Sequence, residues 1–211
     1  MSRYAAVVAG GRSTRFGDRD KAVADLAGVP MIRRVADRLV DAVDGVVVNC
    51  RPDQRDAIEA AMADYPLPVR YAEDPVPDEG PMAGIRTACR GVEAWGGPDA
   101  PAFVVACDMP FVDPTLATAL FDRLAAGYDA VVPRVDDEWF QTTQAVYRAG
   151  PMADACDAAL DRGDRKVLAP LFELAYAEFG ADDLRALGVD ERTFENLNDR
   201  AEFEAAAAAF E

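Results

Sequence analysis

The sequence predicts an α/β fold, doubly wound, with a mostly parallel sheet as the middle of three α/β/α layers. Short apolar runs and amphipathic stretches alternate almost from end to end, the pattern of strands joined by crossover helices. The segment PAFVVACD at 101–108 reads as a strand buried on both faces, as parallel strands are. No linker, repeat or low-complexity stretch divides the 211 residues, so a single domain over 1–211 is expected.

Each element has its own signature. YAAVVA (4–9) is an apolar run that ends in glycine, a buried strand. PMIRRVADRLVDAV (30–43) puts Ile32, Val35, Leu39 and Val43 on one stripe with Pro30 in the first turn, an amphipathic helix. GVVVNC (45–50) is the second strand, PDQRDAIEAAMADY (52–65) a helix and PVRYAED (68–74) a strand. GPMAGIRTACRGVEAW (80–95) is a helix. DPTLATALFDRLAAG (113–127) is another, with Asp113 as N-cap before Pro114. YDAVVP and TQAVYR are strands. PMADACDAALDRG (151–163) and RKVLAPLFELA (165–175) read as helical. A last helix covers 199–211, with Asn198 or Asp199 as its cap. Ligands of such folds bind outside the carboxyl ends of the strands, which singles out Gly10-Gly11, Asn49, Asp74 and Asp108.

Composition narrows the function. There are 38 acidic against 22 basic residues, a net charge of -16, which opposes nucleic acid and anionic membrane surfaces as partners. The acidity is spread along the chain, and Lys21 and Lys166 are the only lysines. That is the surface of a protein adapted to high salt, where charge repulsion is screened; loss of the fold at low ionic strength would bear this out, and full stability in dilute buffer would count against it. The absence of histidine excludes imidazole catalysis and ligation. Cys50, Cys89, Cys107 and Cys156 form no C-x-x-C pair and read as thiols of a reducing compartment. With no signal peptide and no apolar run near the roughly 20 residues of a membrane span, a cytoplasmic protein is expected.

The loop after the first strand, AGGRSTRFGDRDK, fits neither the G-x-G-x-x-G nor the G-x-x-x-x-G-K-[ST] spacing. It still gathers Arg12, Arg15, Arg19 and Lys21 around two glycines, in an otherwise acidic chain. Glycine lets backbone amides approach a phosphate closely, so this basic island suits a triphosphate.

Many nucleotidyltransferases begin with a strand followed by G-G-x-x-x-R-[MF]-G-x-x-K. The form found here, Val8-Ala9-Gly10-Gly11, Arg15-Phe16-Gly17 and Asp20-Lys21, resembles the molybdenum cofactor guanylyltransferases. The likeness continues through Asn49 in VVVNC, Asp74 with Gly80, Pro81 and Gly84 in AEDPVPDEGPMAGI, Asp108 in CDMP, the RGDRKV turn, and Asn196 and Asn198 in ENLND. The ordered matches run from residue 5 to about 200. Gln141-Thr142 departs from the His-Pro or Gln-Pro common in that family.

The resemblance implies a Rossmann-like nucleotidyltransferase fold and transfer of GMP from GTP to the phosphate of molybdopterin. The products are the guanine dinucleotide form of the cofactor and pyrophosphate. It implies Arg15, Lys21 and Asp108 as catalytic residues. Val8, Ala9, Gly10, Gly11, Asn49, Asp74, Gly80 and Pro81, again with Lys21 and Asp108, would bind the nucleotide. Asn196, Asn198 and Lys166 would meet the acceptor, and Asp108 would hold Mg²⁺. Transient contact with molybdopterin-handling proteins is expected. The chemistry fits a chain without histidine: the nucleophile is a phosphate monoester with a second pKa of about 6, already anionic near neutrality, so catalysis reduces to positioning and charge neutralisation. Two rivals are a guanylyltransferase acting on adenosylcobinamide phosphate, and a non-catalytic protein that binds GTP or molybdopterin.

Overall fold

A computed structural model describes residues 1–11, 20–76, 79–135 and 139–210. In chain order the strands are β1 (Tyr4–Val8), β2 (Asp25–Leu26), β3 (Val29–Pro30), β4 (Gly45–Cys50), β5 (Val69–Glu73), β6 (Pro101–Ala106), β7 (Ala130–Val135), β8 (Trp139–Phe140), β9 (Gln144–Arg148) and β10 (Tyr176–Phe179). The helices are α1 (Met31–Arg38), α2 (Arg55–Ala61), α3 (Pro81–Gly96), α4 (Pro114–Leu124), α5 (Ala149–Asp161), α6 (Leu168–Leu171), α7 (Ala181–Leu187) and α8 (Arg200–Ala207).

The main sheet runs β10-β7-β9-β6-β1-β4-β5, with β8 as a short antiparallel flange on β7. All pairings along it are parallel except those of β9, which is antiparallel to β6 and β7. Successive residues of the central strands face opposite layers. Ala5, Val7, Phe103 and Val105 join a core with α1, α2 and α4. Tyr4, Ala6, Ala102 and Val104 join one with α3, α5 and α6. This is the expected three-layer arrangement. From β1 the chain builds outward through β4 and β5, then returns to lay β6 on the other side of β1. The order therefore reverses between β1 and β6, where doubly wound sheets open a crevice. No helix among the described residues is long and apolar enough to cross a membrane.

Asp113 caps α4 as expected, its carboxylate accepting from the Thr115 amide at 2.7 Å. Asp199, not Asn198, caps α8 and accepts from the Glu202 amide. Three expectations need correction. The helix expected over 165–175 shrinks to α6, and the chain then turns to add β10 as a parallel edge strand on β7. The helix over 52–65 opens with a 3₁₀ turn at Pro52–Gln54 and ends at Ala61. The helix over 30–43 covers only α1: Pro30 belongs to the small β2–β3 hairpin, and the helix stops at Arg38, with Leu39 as its C-cap and turns beyond. That hairpin seats the C-terminal segment: Leu26 and Met31 pack with Leu197 and Ala206.

Candidate functional site

A cleft of about 390 Å³ opens at the carboxyl ends of β1, β4, β5 and β6 and at the start of α3. All ten residues expected to bind the nucleotide line it: Val8, Ala9, Gly10, Gly11, Lys21, Asn49, Asp74, Gly80, Pro81 and Asp108. Arg15 lies outside the described residues, as do Arg12 and Arg19.

Lys21 and Asp108 meet at the β6 end. Asp108 follows the strand PAFVVA, and Lys21 begins a 3₁₀ turn capped by Asp20. The Lys21 ammonium donates to Asp108 Oδ2 at 2.7 Å, and the lysine is 5% exposed. Oδ1 of Asp108 is buried and accepts no hydrogen bond from any described residue. A buried carboxylate oxygen without a partner is unfavourable unless a ligand completes it.

At the β4–β5 end, Asn49 Nδ2 donates to Asp74 Oδ1 at 2.7 Å, and Asn49 Oδ1 accepts from the Gly10 amide at 3.3 Å. Burial pushes the Asp74 carboxyl above the usual carboxylate range, while the Asn49 hydrogen bond pulls the other way. The glycines here are a matter of space. A Cβ on Gly10 would collide with Asp74 Oδ2, and one on Gly84 would stand 2.9 Å from both Asn49 Oδ1 and Val8 Cγ1.

Beneath the turn lie two residues that sequence reasoning missed. Arg51 is buried and donates to the carbonyls of Gly10 at 3.1 Å and Gly11 at 2.8 Å. Gln54 donates to the Ala9 carbonyl at 3.2 Å and to Asp20 Oδ2. Together they tie the glycine turn to the start of the Lys21 segment. The one available signal was a polar run, RPDQ, immediately after a buried strand.

The C-terminal segment closes the β6 end. The Leu197 amide donates to the Asp108 carbonyl at 3.0 Å, which brings Asn196 and Asn198 beside that strand end. Asn196 is half-buried; Asn198 is exposed and donates to the Asn196 carbonyl. A buried polar pair anchors the segment from the sheet: Thr193 Oγ1 donates to Gln144 Oε1 at 3.0 Å and accepts from the Asp113 amide at 2.9 Å. Gln144 Nε2 in turn donates to the Thr193 carbonyl. This anchor was also missed. Lys166 is exposed, in the turn between α5 and α6, and does not line the cleft. Of the Gln141–Thr143 loop, Thr143 reaches the cleft wall.

A single groove therefore offers a cation paired to a carboxylate at one end and a buried amide–carboxylate pair at the other. That arrangement suits a nucleotide lying across the strand ends, triphosphate toward β6 and base toward β5.

Residues 5–177 match the model of the MobA-like NTP transferase domain family. A protein of Natronomonas pharaonis named probable molybdenum cofactor guanylyltransferase is 46% identical over 204 residues, covering 97% of this chain and 96% of its own. One of the same name from Haloferax mediterranei is 38% identical, covering 93% and 89%. The crystal structure of molybdopterin-guanine dinucleotide biosynthesis protein A from Archaeoglobus fulgidus superposes with a TM-score of 0.77 at 27% identity, covering 98% of both chains.

Proposed function

This chain belongs to the MobA-like NTP transferase family, and on that footing we propose that it transfers GMP from GTP to the phosphate of molybdopterin, forming the guanine dinucleotide cofactor and releasing pyrophosphate. It is a nucleotidyltransferase by family. The observation that carries the nucleotidyl-transfer reading is the gathering of all ten expected nucleotide residues on one cleft with Lys21 and Asp108 at its β6 end, and the guanylyl part follows the relatives' names.

In this reading an oxygen of the acceptor phosphate attacks the α-phosphorus. One P–O bond forms to the acceptor as the bond to the β-phosphate bridging oxygen breaks, and pyrophosphate leaves with that electron pair. No proton need be removed from the nucleophile near neutrality. The Lys21 ammonium, presented from a buried position, neutralises phosphate charge as it builds toward the leaving group. Asn49 and the turn held by Arg51 fix the nucleoside end, so that the α-phosphorus is aligned before the acceptor arrives. Arg15 is assigned to the leaving pyrophosphate, and Asn196, Asn198 and Lys166 to the acceptor.

A nucleotidyltransferase of this kind works with a divalent metal, and Mg²⁺ is the ion proposed. The residues fit it. Asp108 Oδ1 is buried and no described residue donates to it. Mg²⁺ keeps several waters and takes one or two carboxylates alongside substrate phosphates. Held by Asp108, it would supply positive charge to the phosphate oxygens.

The same reading treats residues 1–211 as one catalytic unit of the cytoplasm that receives its acceptor from molybdopterin-handling proteins. Its test is pyrophosphate release from GTP and Mg²⁺, followed with and without molybdopterin. Acceptor-dependent release at one pyrophosphate per GMP transferred is expected; GTP binding with no such release would contradict the reading.

A further inference from the structure

Guanine carries two donors on one edge, N1–H and the N2 amino group, so a pocket that selects it must offer acceptors. The acceptors of the glycine turn are engaged already. The Val8 carbonyl accepts from the Cys107 amide at 3.0 Å, the Ala9 carbonyl from Gln54 and the Gly10 carbonyl from Arg51. Asn49 Oδ1 takes the Gly10 amide and Asp74 Oδ1 takes Asn49, which leaves Asp74 Oδ2 and the Glu79 carboxylate as acceptors at that end of the cleft.

Of these two carboxylates, Glu79 is the one paired with a cation among the described residues. It lines the cleft immediately before Gly80, at the end where Asp74 lies. Arg86 donates to its Oε2 at 3.2 Å and is itself braced by Asp157 at 3.6 Å. The guanidinium thus fixes one carboxylate oxygen, while no described residue donates to Oε1. A carboxylate clamped on one oxygen and open on the other is a ready acceptor for an amino group in the cleft.

We propose that Glu79 is a base-selecting residue of this protein, its Oε1 accepting from the guanine N2 amino group while Arg86 holds the side chain in place. The proposal rests on the guanylyl-transfer reading and adds to it the residue that distinguishes a 2-aminopurine from other purines. A hydrogen bond to a charged group that the wrong base leaves unmade corresponds to about tenfold to a hundredfold in affinity.

The test is equilibrium binding of GTP, ITP and ATP to the full chain with Mg²⁺. ITP is the probe because hypoxanthine keeps N1–H and O6 and lacks only the 2-amino group. The intact protein is expected to bind GTP about tenfold to a hundredfold more tightly than ITP. In Glu79→Gln the amide oxygen goes to Arg86 and a donor faces the base, so the ratio falls to about one or below while ITP affinity stays within about threefold. Glu79→Ala, which removes the side chain instead of inverting it, is expected to give a ratio of about one. A GTP-to-ITP ratio unchanged in both variants, or an equal loss for both nucleotides, would overturn the proposal. So would an intact protein that prefers GTP to ATP but binds ITP equally well, and in that case guanylyl transfer would stand. An intact protein that binds ATP as tightly as GTP would instead overturn the guanylyl reading itself.

Discussion

At the β4–β5 end of the cleft, Asn49, Asp74, Arg51 and Gln54 are buried and bonded to one another or to the glycine turn. Beside the β6 end, Asn198 is exposed and Asn196 is half-buried. The first region is assembled when the chain folds, so a nucleotide meets groups whose ordering has already been met by folding, and binding need not supply it. The second hangs on long-range contacts: the Gln144–Thr193 pair, the Leu197 amide on the Asp108 carbonyl, and Leu197 packed with Leu26 and Met31. Disturbing the nucleotide end should therefore change nucleotide affinity, and disturbing the anchor should change what happens to the acceptor.

The largest effect is expected where the two regions meet. Asp108→Asn keeps the shape of the side chain but removes the charge paired with Lys21. Transfer should fall by about 10²–10³-fold, as when one preorganised electrostatic group is lost, with the fold retained by circular dichroism. A fully active Asp108→Asn would remove Asp108 from both the metal and the catalytic assignment. Gly10→Ala drives a methyl into Asp74; overpacking of this kind costs about 1–3 kcal/mol, which should appear as weaker GTP binding by calorimetry, with acceptor KM unmoved at saturating GTP.

Thr193→Val removes the hydroxyl but keeps the volume. Leaving Gln144 Oε1 and the Asp113 amide unpaired costs about 1–3 kcal/mol. The account expects about a tenfold rise in acceptor KM with GTP affinity unchanged, faster hydrogen exchange at the Leu197 amide, and recovery in Thr193→Ser. Equal losses for both substrates would dissolve the distinction between the two ends.

The smallest effect is on pH dependence. The raised Asp74 carboxyl takes up its proton at a higher pH than a free aspartate, so GTP binding should begin to weaken on acidification above the ordinary value of 3.8. Protonation of this group favours the folded state, since the unfolded chain releases the proton first and the group lowers stability as pH rises through its raised value. The weakening is therefore loss of an acceptor and not acid unfolding driven by Asp74. Asp74→Asn should flatten that limb in a binding titration across pH.

The difference between the regions also explains what the sequence made legible. β1, β4, β6, α3 and α4 were readable because their apolar residues are buried in continuous runs or stripes. Of the cleft-lining residues, Gly10, Gly11, Asn49, Asp74 and Asp108 were legible as strand ends and Lys21 as part of the basic island, whereas Val8, Ala9, Gly80 and Pro81 rested on the resemblance. β10 and α7 were not legible: β10 is a four-residue edge strand with Glu178 exposed, and α7 has no fully buried residue, so neither carries a periodic apolar signal. Arg51 acts on a turn about 40 residues away in the chain, and Gln144 bonds a residue 49 positions on. Such pairings exist only once the sheet brings strand ends together, and no local pattern announces them.

The central claim is that this cleft joins GMP to molybdopterin. The most direct measurement follows α-phosphate-labelled GTP with Mg²⁺ at high salt, offered molybdopterin and adenosylcobinamide phosphate separately, with Asp108→Asn alongside. The account predicts label on molybdopterin, none on the cobinamide, and loss of transfer in the variant. Label on the cobinamide alone, or GTP bound with no label on either acceptor, would contradict it.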